Sequence, residues 1–311
     1  MKEKYELMYK IDINHFSTEI SLKIMIAGIK LELNYSGRNS IAVSNFLNEY
    51  FKDFERFDED PDARIYYHQR DDIYGEASWP YWNIWTEEIE FIEKKDEQFD
   101  FLMERDFVAK VSKDGKSIFA YGPSWSFETC DSLDNIVSYM LGRNQIIKNS
   151  FILHAATVSD GQYAYVFFGA SGAGKSTLAD HCYKMNGLKV ISSDQVIIIV
   201  ENDKIFAQVM PTTIPEFPLN HSARESRKMP VRSMMRLIQA EGLFNYTKLS
   251  EIDWLKYLMK ELVYRKEFKY EKELLSMALK LASNENIIKG EFSYLKGTNF
   301  FEELKKRMEQ R

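Results

Sequence analysis

Cysteine is nearly absent: Cys130 and Cys182 are the only two in 311 residues, far apart and outside any metal-ligand spacing. That pattern excludes a disulfide-stapled scaffold and a cysteine-ligated zinc site, and it leads us to expect free thiols in a cytoplasmic protein. A basic excess is also missing. The net charge is −6, opposite in sign to a surface that neutralises phosphates, so no nucleic-acid partner is expected. Long apolar runs are lacking too: Val196-Ile-Ile-Ile-Val200 is far too short to cross a bilayer. The start, Met1-Lys-Glu-Lys-Tyr-Glu6, is charged and has no apolar signal core, so no membrane partner is expected. Internal repeats and low-complexity linkers are not found. What remains is ordinary for a globular enzyme, 45% hydrophobic and 28% charged, with enough chain for two cores or one large one.

Hydrophobic periodicity supplies the elements. Residues 5–37 read as extended, with two-residue alternation through Leu22-Lys-Ile-Met-Ile-Ala-Gly-Ile-Lys-Leu-Glu-Leu33. Ser40 to Phe54 reads as a helix with Val43, Phe46, Leu47 and Tyr50 on one face and Phe51 beside them. Phe107 to Tyr121 reads as a hairpin turning at Asp114-Gly115. The aromatic stretch Trp79-Pro-Tyr-Trp-Asn-Ile-Trp85 reads as a buried core or edge segment rather than a substrate platform. Ile136, Val137, Met140, Leu141 and Ile147 mark an amphipathic helix from Asp134 to Asn149. Leu249 to Leu281 reads as helical, with no chemical motif.

The chemistry begins at Phe151-Ile-Leu-His-Ala-Ala-Thr-Val158 and Gln162-Tyr-Ala-Tyr-Val-Phe-Phe168, two strand-like runs separated by Ser159-Asp160-Gly161. Asp-Gly between apolar runs is a strong hairpin signal. With Asp160 and Gly161 as a two-residue turn, Ser159 pairs with Gln162 and His154 falls opposite Phe167. Directly after comes Gly169-Ala-Ser171-Gly172-Ala173-Gly174-Lys175-Ser176-Thr177, a full Walker A pattern in strand–loop–helix context. Its glycines let backbone N–H groups turn toward phosphate oxygens, and the following helix adds its positive end. Lys175, expected as an exposed loop lysine, can reach the β- and γ-phosphates, and the Ser176 hydroxyl can ligate magnesium. A dinucleotide fingerprint is excluded, because Thr177 stands where its third glycine belongs. The helix from Lys175 should stop at Gly187, followed by the strand Leu188 to Ser192. Asp194 then ends a strand one βαβ unit after the loop. There it can hold magnesium or accept a proton; a turn-capping aspartate is the structural alternative. His154 has a plain alternative too, a half-buried core histidine.

The order of His154, hairpin, Walker A loop, short helix and Asp194 resembles the HPr kinase/phosphorylase superfamily, whose nucleotide fold is shared with phosphoenolpyruvate carboxykinase. The matching residues are Leu153-His154-Ala155-Ala156, Gly169-Ala-Ser-Gly-Ala-Gly-Lys-Ser176 and Ser193-Asp194, with a firm match over residues 150–200. Phe292 to Leu304 looks like the final strand and helix of such kinases. Two departures stand out: the family's adjacent acidic pair is reduced to Asp194 alone, and its glycine- and arginine-rich C-terminal signature is not found. The pattern is closest to HPr-kinase-like serine kinases of peptide-modification clusters.

The resemblance implies an α/β fold: a mixed-sheet P-loop nucleotide-binding domain over 150–311, and an N-terminal α+β domain over 1–149 that receives substrate. The mixed sheet also follows from the hairpin, whose first strand runs antiparallel to the loop strand. The resemblance implies a phosphotransferase using ATP or another nucleoside phosphate with Mg²⁺, acting on a serine or threonine hydroxyl of a peptide or small protein. Asp194, His154 and Lys175 would be catalytic. Gly169, Ser171, Gly172, Ala173, Gly174, Lys175, Ser176 and Thr177 would hold nucleotide, and Ser176 and Asp194 the metal. A homo-oligomer is compatible with this reading and not specified by it. Two other readings stay open here: a kinase of a small-molecule hydroxyl such as free serine, and a nucleotide-binding protein without phosphotransfer. The basic run Arg224, Arg227, Lys228, Arg232 and Arg236 reads as a solvated face before a peptide grip, and His181 as surface or packing.

Overall fold

The computed structural model describes residues 11–70, 90–95, 97–103, 107–122, 124, 131–211, 225–238, 245–293 and 300–309. The aromatic stretch Trp79 to Trp85, Cys130 and Arg224 lie outside the described residues. The chain divides into two compact units, Met1–Asn144 and Gln145–Arg311.

The first unit carries a mixed eight-stranded sheet. Its strands are β1 (Ile20–Ile26), β2 (Ile29–Ser36), β3 (Glu55–Arg56), β4 (Ala63–Gln69), β5 (Glu90–Ile92), β6 (Phe99–Met103), β7 (Val108–Ser112) and β8 (Ser117–Gly122). They lie in the order β3-β1-β2-β4-β8-β7-β6-β5, with β4 parallel to both β2 and β8. The alternation through Leu22 to Leu33 is the β1–β2 hairpin, turning where Ala27 and Gly28 have positive φ. At the Asp114-Gly115 turn, the Asp114 carboxylate accepts from Lys116 N at 3.0 Å. Ser40–Tyr50 is helical and buries Val43, Phe46 and Leu47, the face read from the spacing. The next helix is Asp131–Asn144, and the stretch expected to extend it to Asn149 tightens into a 3-10 turn, Gln145–Lys148.

The second unit carries the loop. Its strands are β9 (Ser150–Ser159), β10 (Ala164–Phe168), β11 (Lys189–Ser192), β12 (Gln195–Glu201), β13 (Lys204–Val209), β14 (Met229–Leu237), β15 (Asn245–Thr247) and β16 (Ile288–Ser293). The sheet is mixed, as the hairpin required: β9 is antiparallel to β10, whereas β14 is parallel to β10 and to β16. Pairings along β10-β9-β12-β13-β14 and back to β10 close a ring. Strand β9 changes partners along its length. Its first half, Ser150 to His154, pairs with β12, and its second half, Ala155 to Ser159, lies between β10 and β11.

Apolar packing fixes the helix that follows the loop, Lys175–Asn186. Its Leu178, Ala179 and Cys182 are fully buried against Ala156, Val158, Phe167, Phe300 and Phe301. Each buried side chain of Leu or Phe size contributes about 1.5–3 kcal/mol, so this layer is a rigid floor. The glycine-rich loop itself has little to bury, with Ala170, Ser171 and Gly172 exposed, so its anchors hold it in shape. Gly187 ends the helix as expected, its N–H donating to Tyr183 O at 3.0 Å. The expected final strand and helix are β16 and Phe300–Glu309.

Candidate functional site

The β9–β10 hairpin loop is two residues longer than its sequence suggests, which shifts the pairing by two. Ser159 pairs with Ala164 and Ala156 with Phe167, so the connection is the four-residue loop Asp160 to Tyr163. The cause is Asp160, whose Oδ1 accepts from Gln162 N at 3.0 Å and Tyr163 N at 2.9 Å, a side-chain-closed turn that displaces the two-residue turn. A shift of two preserves which side chains face which side. It moves His154 away from Phe167, and the continuing register sets it level with Gly169 instead.

Gly169 opens the loop under a steric demand. Its φ is +157°, and a Cβ there would lie 2.5 Å from the carbonyl oxygen of Leu237 on β14. The loop then closes on itself through Ala173 N donating to Ala170 O at 3.0 Å. The helix begins at Lys175 with no side-chain cap on Gly174, leaving the first-turn N–H groups without a side-chain acceptor. Such a helix start favours an anion.

Lys175 is not the exposed loop lysine expected from the sequence. It is 6% exposed, and its Nζ donates back to Gly169 O at 2.7 Å and Ala170 O at 3.2 Å. As the first residue of a helix seated on the apolar floor, its stem is drawn inward while the ammonium satisfies the loop carbonyls. Burial pushes its pKa below the ordinary lysine value, and the charges of Glu261 and Asp194 oppose that shift. Ser176 is half-buried, and its hydroxyl donates to Ser193 O at 3.3 Å, which ties the loop to the end of β11. Ser171 and Thr177 are exposed at the loop mouth.

Asp194 and His154 meet. The Asp194 carbonyl accepts from Ala155 N at 2.8 Å and Gln195 pairs with His154, so the backbone sets the two residues side by side. His154 Nε2 lies 2.9 Å from Asp194 Oδ1, with side chains 37% and 59% exposed. The His154 hydrogen bond holds the Asp194 carboxyl below its usual value; burial works against this, and the His154 and Lys175 charges reinforce it. The turn-capping role belongs to another residue, since Asp194 N donates to Ser192 Oγ at 3.2 Å. Among the described residues, the Asp194 carboxylate takes no backbone N–H. It is an ionised, exposed acid beside the loop.

A fourth side chain reaches this place from far along the sequence. Residues 249–281 are two helices, Glu251–Lys260 and Glu271–Ser283, and the segment between them returns to β9. There Leu262 bridges Leu153, His154 N donates to Glu261 O at 2.8 Å, and Val263 N donates to Ile152 O at 3.0 Å. Glu261, 14% exposed, brings Oε2 to 3.9 Å from His154 Nδ1, on the other side of the ring from Asp194. The sequence does signal the helix, through the Ser250 cap on Asp253 N and the buried Trp254 and Leu258. Nothing local signals that its last turn meets β9.

The remaining candidates separate. Arg227 pairs with Glu225 at 2.7 Å, Lys228 with Glu201 at 2.7 Å and Arg236 with Glu291 at 2.8 Å, while Arg232 lies 5.9 Å from the Tyr163 ring centroid, so the described part of the basic run is dispersed over separate partners. His181 is buried and packs near Phe300, with ring centroids 5.5 Å apart. Cys182 is a buried thiol pushed up to about 12, too high for a nucleophile at neutral pH.

Among the described residues no group of three or more His, Cys, Asp or Glu is arranged to enclose a metal. Magnesium that arrives with phosphates needs no such cage, because one or two protein oxygens suffice. The donor set fits that case: the Ser176 hydroxyl proton is committed to Ser193 O, which frees the lone pairs, and Asp194 is ionised and exposed.

Fold and site together define a mixed α/β unit with a glycine-rich loop at a helix start and two carboxylates around one imidazole. No family model matches the chain, and no curated protein does. Among solved structures, it is similar to the Hpr(Ser) kinase/phosphatase from Coxiella burnetii, at 12% identity and a TM-score of 0.30, over 51% of this chain and 93% of that one. A likeness of that strength says nothing about chemistry. No helix among the described residues is long and apolar enough to cross a membrane.

Proposed function

We propose that the chain is a magnesium-dependent phosphotransferase that moves a nucleotide phosphoryl group to a serine or threonine hydroxyl of a peptide or small protein. The observation that carries this reading is Asp194, ionised, exposed and held by His154 beside a glycine-rich loop whose lysine senses its charge. A site for binding nucleotide alone can use an acid to hold magnesium; transfer also needs one exposed enough to meet an acceptor hydroxyl, as Asp194 is.

Each group has a task in this reading. The loop N–H groups and the helix start receive phosphate oxygens. Lys175 leaves the Gly169 and Ala170 carbonyls and turns its ammonium to the β- and γ-phosphates. Ser176 and Asp194 would hold a magnesium ion that arrives with the nucleotide, and it would supply charge neutralisation on the phosphate oxygens. The acceptor oxygen attacks the γ-phosphorus, the bond to the β-phosphate oxygen breaks, and a nucleoside diphosphate leaves. Asp194 accepts the hydrogen bond of the acceptor hydroxyl. Its lowered pKa makes it a weak base, so it takes the proton late, after bond formation has made that proton acidic.

The test is mass spectrometry of short peptides encoded beside the gene, incubated with protein, ATP and magnesium. One phosphate on a defined serine or threonine is the expected result. Phosphate on free serine instead moves the protein to small-molecule kinases. Tight nucleotide binding without transfer to either class of acceptor overturns the phosphotransferase reading.

A further inference from the structure

Glu261 is a carboxylate with a neighbour and no hydrogen bond. It is 14% exposed, and among the described residues its oxygens accept no hydrogen bond within 3.5 Å. Its nearest ion-pair partner there is His154 Nδ1 at 3.9 Å, while His154 Nε2 is 2.9 Å from Asp194. The imidazole therefore stands between two acids of different exposure. The backbone keeps it there, since His154 N donates to Glu261 O and Ala155 N donates to Asp194 O, both at 2.8 Å.

We propose that Glu261 is a positioning residue that holds the His154 ring so that Nε2–H faces Asp194, and through it aims the Asp194 carboxylate at the loop. The physical reason lies in the ring flip. Turning the imidazole over replaces Nε2 by Cε1 in front of Asp194 and Nδ1 by Cδ2 in front of Glu261. Both acids then lose a polar neighbour, so both favour one rotamer. Asp194 alone biases it weakly, because its side chain is 59% exposed and water competes. Glu261 is screened far less, and a partly buried charge acts strongly over 4 Å. The consequence for turnover rests on the phosphotransferase reading; the ring orientation does not.

Glu261→Gln in the full-length protein tests it, because the bridge to β9 is made by backbone atoms and survives the change. The first readout is nitrogen-15 NMR of the histidine side chains, with the His154 signals assigned by their loss in His154→Gln. Glu261→Gln is expected to shift both His154 ring-nitrogen resonances while the melting temperature stays within error. Glu261→Asp, which keeps the charge but shortens the reach, should shift them less. The second readout is kcat on an acceptor that the wild-type protein phosphorylates, expected to fall about 10–100-fold. His154 resonances identical to wild type in both Glu261 variants overturn the proposal, whatever the activity. If Glu261→Gln does not fold, the Glu261→Asp spectrum alone decides in the same way. A wild-type protein that transfers no phosphate, but whose His154 signals shift in Glu261→Gln, upholds the positioning role and removes the kinase reading instead.

Discussion

Asp194→Asn separates chemistry from stability more cleanly than any other single change in the site. Asparagine keeps the size and leaves an oxygen to accept from His154 Nε2, but it loses charge and basicity. The cost to the fold is bounded by the structure: the His154–Asp194 pair is 37% and 59% exposed, and such pairs contribute about 0–1 kcal/mol. A unit of this size should then melt at most about 4 °C lower. The cost to transfer is much larger. Loss of a positioned base typically removes about 10²–10⁴ in rate, equivalent to roughly 2.7–5.5 kcal/mol of barrier. Nucleotide affinity should fall far less than turnover, because in the proposed mechanism the loop N–H groups and Lys175 carry the phosphate contacts. The assay is single-turnover transfer from labelled ATP to a peptide that wild-type protein phosphorylates, beside calorimetric ATP affinity and a thermal melt. Turnover within a few-fold of wild type, in a folded variant, refutes the reasoning and leaves the mechanism without its acid.

Lys175→Ala should abolish ATP binding in calorimetry and also lower the melting temperature, because the side chain is buried and holds two loop carbonyls. Lys175→Met, which keeps the stem, should lose binding with a smaller thermal penalty, and unchanged ATP affinity in Lys175→Met would remove the lysine from the phosphate site. Gly169→Ala forces a Cβ within 2.5 Å of Leu237 O at positive φ, so a loss of about 1–3 kcal/mol or more is expected in chemical denaturation. The folded-state pKa of Asp194 is depressed, so its contribution to stability is present above the ordinary carboxylate range and lost as pH falls through the folded value. Asp194→Asn should therefore flatten part of the acid limb of a pH–stability profile, and superimposable limbs would show that the carboxylate is unperturbed.

Local grammar made part of this site legible. The strand–loop–helix motif, the stop at Gly187 and the mixed sheet all follow from residues close together in sequence, where turn chemistry and periodicity act. The hairpin register was missed by two residues because Asp160 uses its side chain, rather than the backbone, to close the turn. Lys175 was misread because motif residues are named for what they reach, whereas here its ammonium folds back onto the carbonyls of its own loop. Glu261 was invisible for a third reason. Its role depends on a bridge between Leu153 and Leu262, and no pattern in either segment names the other.

That bridge also says when the site can exist. The glycine-rich loop and its hairpin are built from neighbours and can form early, while the Leu153–Leu262 pairing must close a loop of more than a hundred residues. Contacts of such long separation are the slow ones in folding, since chain entropy is spent before they are made. A chain emerging in order would thus pair its β9–β10 hairpin well before its second acid arrived, whereas the floor beneath the loop, which includes Phe300 and Phe301, is completed only after it. A paired hairpin and a correctly held His154 become separate milestones, and in refolding the β9–β10 amides should gain exchange protection ahead of the return of the His154 ring signals.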